Sequence, residues 1–283
     1  MAIRQDTIWQ QFLQPVFGFL IDEKALKQLF RSIDWEKESD RLTTPDLLYP
    51  EYYKSQNFHG IEGGYLTPSA AVSYDAVTKY VLPPNERWIR ESVINATQVK
   101  PRKIIDLGCG TGSTTILLKE AFPEAEITGL DLSPQMLAIA NQKSNQLGYS
   151  IQWLHGLAEA TNLASNSFDL VTASLLFHET PPRISQAILR ECFRLLTPGG
   201  QVIILDGNQK TLRQTPWLTN IFEEPYINDY AQGNIDAWLG AAGFDLIRTE
   251  EIWWTNQISY GFKSLPTQET SISTENLRLA MNN

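Results

Sequence analysis

The chain has few cysteines, a deficit of basic residues and no long apolar run. Its 283 residues include 2 Cys, and 23 Lys+Arg stand against 32 Asp+Glu, which gives a formal net charge of −9 at pH 7. Two cysteines exclude a disulfide scaffold. Nucleic acid is disfavoured as a partner, because phosphate binding needs clustered Lys and Arg. No apolar run reaches the roughly 18 residues of a spanning helix, and the polar start lacks an apolar signal core. We therefore expect a cytoplasmic protein without stable membrane insertion.

The N-terminal third is rich in aromatic residues. Residues 7–33 carry apolar side chains at broadly helical spacing, interrupted near Pro15 and Gly18. This pattern predicts a helical cap that packs on the main domain or on a second subunit, so a homodimer is possible. The other interpretations are a hydrophobic cover over a substrate pocket and a membrane-surface anchor, which the scarcity of basic residues disfavours. Residues 40–68, punctuated by Gly and Pro, predict a lid or binding loop.

From residue 103 onward, short apolar runs alternate with helical stretches. Such alternation predicts βαβ units and an α/β fold with a parallel sheet covered by helices on both faces. The expected strands are 103–107, 126–130, 151–154, 168–173, 201–205, 244–249 and 257–262. The expected helices are 69–81, 85–97, 112–121, 133–146, 183–195 and 233–242. We expect a cap and lid segment over 1–95, the main domain over 96–263, and a polar, disordered tail over 264–283.

A glycine-rich turn follows the first strand. Gly108, Gly110 and Gly112 occupy alternate positions, which lets the backbone approach a ligand closely, and a helix N-terminus follows them. A nucleoside-triphosphate loop would need a Lys after its last glycine, and none is present. A dinucleotide loop would have Gly or Ala where Ser113 stands. The remaining class is S-adenosylmethionine (SAM), whose methionine part has an amine and a carboxylate but no pyrophosphate.

Two acidic residues at strand ends support an adenosine ligand. Asp106 directly precedes the loop, where a carboxylate helps to hold an ammonium group, directly or through water. Asp131 closes the next strand, where a carboxylate can accept from both ribose hydroxyls. The bland alternative for Asp131 is a helix N-cap, but Ser133 followed by Pro134 already supplies one.

Four motifs then resemble the class I SAM-dependent methyltransferases. They are residues 104–115, 129–137, 167–171 and 195–200, in the order and spacing of that family. The resemblance covers about residues 95–262. Within the class, the sequence is most similar to small-molecule enzymes of the ubiquinone/menaquinone-biosynthesis type. The resemblance implies a Rossmann-like sheet of seven strands, ordered 3-2-1-4-5-7-6 with strand 7 antiparallel.

The resemblance also implies a cofactor site. It places Asp106 and the three loop glycines around the methionine portion, Asp131 on the ribose and Leu132 against the adenine. Leu157 and Ala158 fall at the adenine edge; the family often has Asp or Asn where Leu157 stands, so recognition there would rest on backbone groups. Ser174 matches a position whose carbonyl faces the cofactor amine, and Tyr74 is a further candidate from the N-terminal helices.

The residues that could do chemistry follow the fourth and fifth expected strands. His178 has a pKa suited to base catalysis near neutrality, and Glu179 could orient it or act itself. The alternative is that both only pack beside the cofactor. Asp206 and Asn208 could ligate Mg²⁺, but a third acidic partner at the end of strand 4 is missing, so we expect no metal.

Aromatic side chains suggest a pocket for a planar or apolar acceptor. His59 and Tyr65 are lid candidates, and Trp217 and Tyr226 lie in the insertion after strand 5. Of Trp253 and Trp254, alternation predicts that one points outward. The sequence thus predicts methyl transfer from SAM to a small aromatic or apolar acceptor, with O-methylation favoured. The alternatives are a non-catalytic SAM-binding regulator or scaffold and an NAD-linked oxidoreductase.

Overall fold

A seven-stranded sheet forms the centre of the molecule. In the computed structural model, the described residues are 22–58, 61, 64–82, 84–222 and 224–265. The strands are β1 Lys103–Leu107, β2 Glu126–Asp131, β3 Gln152–His155, β4 Phe168–Ser174, β5 Leu196–Gly207, β6 Asp245–Trp253 and β7 Asn256–Phe262. Their order is β3-β2-β1-β4-β5-β7-β6, and β7 is antiparallel to β5 and β6. The expected fold class and strand order are confirmed.

Neighbouring strand residues face opposite sides of the sheet and build two cores. Ile105 and Val171 belong to one core, which is completed by the helices Pro182–Leu195 and Ile235–Ala242. Ile104 and Leu170 belong to the other, where Ile89 of the helix Glu86–Asn95 covers them. The central strands are therefore apolar on both faces, which is why they read as continuous apolar runs in the sequence.

The six helices expected from the sequence are present, with bounds within about two residues of those expected, and further helices lie before and between them. They are α1 Glu23–Ser32, α2 Trp35–Leu42, α3 Glu51–Lys54, α4 Pro68–Val81, α5 Glu86–Asn95, α6 Ser113–Ala121, α7 Pro134–Gln146, α8 Pro182–Leu195, α9 Gln209–Gln214, α10 Pro216–Phe222, α11 Ile227–Gln232 and α12 Ile235–Ala242, with a 3₁₀ turn over Phe177–Glu179. The hydroxyl of Ser133 accepts from the backbone N–H of Met136 at 3.1 Å, and Pro134 takes the first helical position of α7.

The N-terminal segment is fastened over the carboxyl ends of the strands. Beyond α2, the backbone N–H of Thr44 donates to Nδ1 of His155 at 3.0 Å, and the Thr44 hydroxyl donates to the His155 carbonyl at 2.6 Å. On α4, Asp75 forms an ion pair with Lys143 of α7 at 2.7 Å and accepts from the hydroxyl of Thr111 in the glycine loop. These contacts place the segment above the edge where a ligand would bind.

Some parts of the expected organisation differ or lie outside the described residues. The strand expected over 201–205 begins at Leu196, and the irregular region 40–68 contains α3 and the end of α2. Helix α5, expected within the cap segment, packs on the sheet through Ile89 and Val93. The boundaries of the cap and domain stay predictions, and most of the tail, like residues 1–21, lies outside the described residues. Within the described ranges, no helix has the length and apolarity to cross a membrane.

Candidate active site

The glycine loop between β1 and α6 forms the floor of a cavity. Gly108, Gly110 and Gly112 all have positive φ values, of 63°, 54° and 78°. A Cβ on Gly108 would meet Leu176 at 2.8 Å, whereas a Cβ on Gly110 would meet nothing within 4 Å. A Cβ on Gly112 would meet the Trp153 ring at 2.6 Å. Gly110 therefore borders open space, Gly108 lines the cavity but packs closely against Leu176, and Gly112 serves internal packing and does not line the cavity.

Asp106 lies beneath the loop. It is 1% exposed, and its carboxylate accepts from the hydroxyls of Thr115 at 2.6 Å and Thr172 at 2.7 Å. Burial raises its pKa, and the two threonine hydrogen bonds oppose that rise. Asp106 is not among the cavity-lining residues. The structure therefore shows it joining β1, β4 and α6, and its predicted contact with the methionine portion stays a prediction.

Asp131 lines the cavity at the end of β2. One carboxylate oxygen accepts from the backbone N–H of Gly110 and the other from that of Ser133, both at 2.8 Å. Burial raises its pKa to about 6, against the effect of these hydrogen bonds. Each carboxylate oxygen has a second lone pair. The geometry thus leaves acceptor capacity for a diol beside the loop.

The predicted adenine side is also assembled. Leu132, Leu157 and Ala158 line the cavity together with Met136 of α7. His155 lies behind them: its Nδ1 accepts from the cap, and its Nε2 is 3.0 Å from the carbonyl of Leu132. Burial lowers the pKa of His155. The ring is therefore neutral, with the proton on Nε2, and it fixes the loop after β2.

Ser174 supplies a polar atom without a partner. It lies at the end of β4, lines the cavity and is 8% exposed. Its buried hydroxyl makes no hydrogen bond to any part of the chain that the structure describes. A buried hydroxyl without a partner costs free energy, so this atom is suited to a ligand that can hydrogen-bond to it.

Tyrosines from the N-terminal segment close the cavity from above. The hydroxyl of Tyr52 donates to Glu159 at 2.8 Å, and that of Tyr65 donates to Glu179 at 2.9 Å. The carbonyl of Tyr65 accepts from the Ser133 hydroxyl at 2.7 Å. Tyr53 and Tyr74 complete this wall. Of these four tyrosines, Tyr65 and Tyr74 are site residues predicted from the sequence, whereas Tyr52 and Tyr53 were not predicted. The signal was the density of tyrosines between residues 49 and 65.

Glu179 reaches the cavity, and His178 lies behind it. Glu179 is among the lining residues, and burial raises its pKa to about 7, while the charge of His178 and the Tyr65 hydroxyl oppose that rise. Nδ1 of His178 lies 2.6 Å from Asp206. Burial lowers the pKa of His178, but the charge and hydrogen bond of Asp206 outweigh it and raise the pKa overall. The sequence left both residues as candidate bases, and in the structure only Glu179 lines the cavity.

Other predicted acceptor residues lie elsewhere. Trp217 is 55% exposed, its ring centroid is 6.3 Å from that of Trp254, and it does not line the cavity. Tyr226 does not line the cavity either; its hydroxyl donates to the carbonyl of Tyr52, which does, at 2.8 Å. Trp253 and Trp254 are both about half-exposed, so alternation did not separate them. His59 lies outside the described residues.

The cavity opens to solvent, and the atom-free space of about 720 Å³ bordered by its lining residues includes part of that solvent. The described residues contain no cluster of three or more metal-ligating side chains. The two features that match SAM are the open space beside Gly110 next to the Asp131 carboxylate, and the unpartnered Ser174 hydroxyl. The first suits a ribose, and the second suits an amine or carboxylate. The residues present therefore fit this cofactor.

Part of the chain is similar in sequence to known methyltransferases. A family model described as "Methyltransferase domain" matches residues 104–200, which include β1, the glycine loop, Asp131 and Glu179. About a third of the chain is thus similar to a methyltransferase domain. Among curated relatives, the demethylmenaquinone methyltransferase of Thermus thermophilus is 37% identical over 120 residues, which are 42% of this chain and 54% of that protein. The chain thus spans about half the length of the first curated relatives that it matches.

Solved structures share the fold of the methyltransferase domain. Phosphoethanolamine N-methyltransferase 2 of Haemonchus contortus, in complex with SAM, has a TM-score of 0.55 and 14% identity, covering 71% of this chain and 58% of that chain. The [4+2]-cyclase SpnF has a TM-score of 0.52 and 16% identity, covering 64% and 83%. Since a methyltransferase and a cyclase share this fold, the likeness establishes architecture and leaves the chemistry to the site residues. The predicted family resemblance is confirmed at the level of domain and fold.

Proposed function

We propose that the protein is a SAM-dependent methyltransferase acting on a small, uncharged, hydroxylated aromatic acceptor, with oxygen as the methyl acceptor. One observation carries this proposal. A single cavity joins Asp131 and the glycine loop on one side to a buried carboxyl, Glu179, under a tyrosine wall on the other. A protein that only bound the cofactor would have no use for a second, aromatic side of the cavity with its own buried titratable group.

The cofactor side of the cavity binds and orients. SAM, when bound, supplies a methyl group on a positively charged sulfur. Asp131 would accept from the ribose hydroxyls, and Leu132 would lie against the adenine. Ser174 would hydrogen-bond the methionine portion through the hydroxyl that has no partner within the described chain. Since displacement at a methyl carbon needs in-line placement, positioning is the main contribution of these residues.

Glu179 is the proposed base. Its carboxylate would take the proton of the acceptor O–H group, and the acceptor oxygen would receive the methyl group that bound SAM supplies. The methyl ether and S-adenosylhomocysteine (SAH) would be the products. A carboxyl group whose pKa is raised to about 7 suits this role, because its conjugate base is a stronger proton acceptor than an ordinary carboxylate and is still present at neutral pH.

Charge and shape favour the acceptor class. The described cavity-lining residues include the carboxyl groups of Asp131, Glu159 and Glu179 and no Lys, Arg or His. An acceptor that carried a carboxylate would be repelled, and a flat neutral ring suits the tyrosine wall. The relatives named demethylmenaquinone methyltransferase favour a quinol. Deprotonating a quinol also activates its ring carbons, so transfer to carbon is the second candidate reaction.

Labelled SAM tests the proposal against matched acceptor pairs. Catechol is compared with a catechol carboxylate, and a naphthohydroquinone with its carboxylate, and product analysis locates the methyl group on oxygen or carbon. We expect label transfer to the uncharged members. Preference for the carboxylates would refute the charge argument. SAH binding without transfer to any acceptor would favour a regulator or scaffold, and binding of NAD in place of SAH would favour an oxidoreductase.

Glu179→Gln tests the base, with Glu159→Gln as its matched control. Both carboxylates line the cavity and accept a tyrosine hydroxyl, at 2.9 and 2.8 Å. General bases contribute about 10²–10⁴-fold, so Glu179→Gln should lower kcat by roughly that factor with little change in SAH affinity. Equal losses in the two variants would mean that both carboxylates serve only to hold the tyrosine wall.

A further inference from the structure

Asp206 lies behind the proposed base, and both oxygens of its carboxylate accept hydrogen bonds from backbone N–H groups. It lies near the end of β5 and is 1% exposed. One carboxylate oxygen accepts from the backbone N–H of Phe177 at 2.7 Å, and the other from that of Gly207 at 2.6 Å. The oxygen bonded to Gly207 also lies 2.6 Å from Nδ1 of His178. Both oxygens are thus engaged by N–H groups, and Asp206 belongs to no cluster of metal-ligating side chains among the described residues, so the Mg²⁺ site that its sequence position suggested has no support here.

These bonds fix the 3₁₀ turn that presents Glu179. Phe177 and His178 are the two residues before Glu179 in the turn Phe177–Glu179, and both are held by the same carboxylate. Asp206 does not line the cavity, and His178 does not either. A buried carboxylate needs a partner charge, and the His178 ring at 2.6 Å is the group placed to supply it.

We propose that Asp206 is a positioning residue that holds a cationic His178 ring against Glu179 and thereby sets the pH range in which Glu179 is ionised. This inference rests on the proposed function, because it assigns Asp206 and His178 an effect on the proposed base. It adds no new atom to the reaction: the proton still passes from the acceptor to Glu179.

The charges that face Glu179 determine the sign of the effect. His178 lowers its pKa, whereas Asp206 and Asp131 raise it, and the contribution of His178 exceeds theirs. The phenols that face Glu179 are Tyr53, Tyr65 and Tyr74. Removing the charge of Asp206 takes away the largest influence that raises the pKa of His178, so burial lowers that pKa and the ring loses its proton at a lower pH. The larger of the opposing charges at Glu179 then disappears, and the pKa of Glu179 rises.

The experiment is the pH dependence of kcat/KM for the acceptor, measured at saturating SAM, in Asp206→Asn. Asparagine keeps an oxygen for a backbone N–H and removes the charge. We expect the acid limb of the profile to move to higher pH by about 0.5 unit or more, less than the 1–3 units that one neighbouring charge produces, because the losses of two opposite charges partly cancel. The SAH dissociation constant should stay the same. A uniform loss of kcat at every pH, with an unmoved limb, would overturn the inference and leave Asp206 a purely structural residue.

Two further variants keep the test decisive. His178→Gln removes the cation directly and should move the limb in the same direction, and the double variant should add nothing further, because the two residues act as a unit. If Asp206→Asn fails to fold, His178→Gln alone carries the test. Asp169→Asn is the control, because Asp169 accepts from two backbone N–H groups at the amino ends of the strands, on the side of the sheet away from the cavity. If Glu179→Gln retains the limb, the proposed base is wrong; if it abolishes the limb while Asp206→Asn leaves it unmoved, only this inference fails.

Discussion

Replacing Asp131 by alanine tests the cofactor side of the cavity. The substitution removes the proposed acceptor for two ribose hydroxyls and also two internal hydrogen bonds, from the backbone N–H groups of Gly110 and Ser133 at 2.8 Å each. The measured loss therefore contains a ligand part and a loop part. A suitable control is a second aspartate that binds two backbone N–H groups away from the cavity.

Asp169 provides that control. Its Oδ2 accepts from the N–H groups of Arg102 at 2.8 Å and Lys103 at 3.0 Å, at the amino end of β1, and it does not line the cavity. Hydrogen bonds to a charged group are worth about 1.5–3 kcal/mol. Loss of the ribose contacts should therefore weaken binding by roughly 10- to 150-fold. Asp169→Ala should bind SAH like the unsubstituted protein.

The assay is calorimetric titration with SAH on the two variants and the unsubstituted protein, with thermal unfolding measured alongside. Micromolar binding that weakens at least about tenfold in Asp131→Ala alone would support the ribose role. Equal affinity in all three proteins would refute it. No binding by the unsubstituted protein at millimolar SAH would refute the cofactor assignment itself, and the domain would then retain only the fold of a methyltransferase.

Three other outcomes follow from the same geometry. Because burial raises the pKa of Asp131 to about 6 and ribose binding needs its ionised form, SAH affinity should fall about tenfold between pH 7.5 and 5, and Asp131→Asn should remove this dependence. Gly110→Ala should cost about 1–2 kcal/mol of stability, because its φ is 54°, yet abolish SAH binding, whereas Gly112→Ala should mainly destabilise the fold against Trp153; calorimetry and thermal unfolding would separate the two. Tyr65→Phe removes a hydrogen bond that lowers the pKa of Glu179, so the acid limb of kcat/KM should move up, while Tyr52→Phe, which frees Glu159, should leave it in place.

The sheet was predictable because its strands carry strong local signals. β1 is an apolar run that carries Asp106 next to its last residue, and β2 ends at Asp131; a turn follows each strand, so pattern and boundary agree. The start of β5 was not predictable. Leu196–Gly200 contains Pro198 and two glycines, which favour a turn. The N–H of Gly199 nevertheless donates to the carbonyl of Lys263 at 2.7 Å, and long-range pairing of this kind leaves no trace in local composition.

The site was predictable where motif and position coincide, as at Gly110 and Asp131. It was not predictable where side-chain direction decides. His178 and Glu179 are adjacent in sequence, and only the 3₁₀ turn, held by Asp206, directs one toward the cavity and the other away from it. Trp217 has the composition of a pocket residue, but its half-exposed position on α10 could not be inferred from the chain.

The cavity is divided between two stretches of chain. Its cofactor-facing wall comes from the ends of β1, β2 and β4, whereas the tyrosine wall opposite comes mainly from residues 52–74, which precede the sheet in the sequence. The tyrosine wall proposed for the acceptor and the wall proposed for the cofactor thus come from separate segments, whereas the carboxyl groups proposed to exclude charged acceptors belong to the second of them. A lineage that carries this domain can therefore change the aromatic contacts to its acceptor by mutation or recombination in the N-terminal segment alone, and an engineer can diversify that segment while keeping the glycine loop and Glu179 intact.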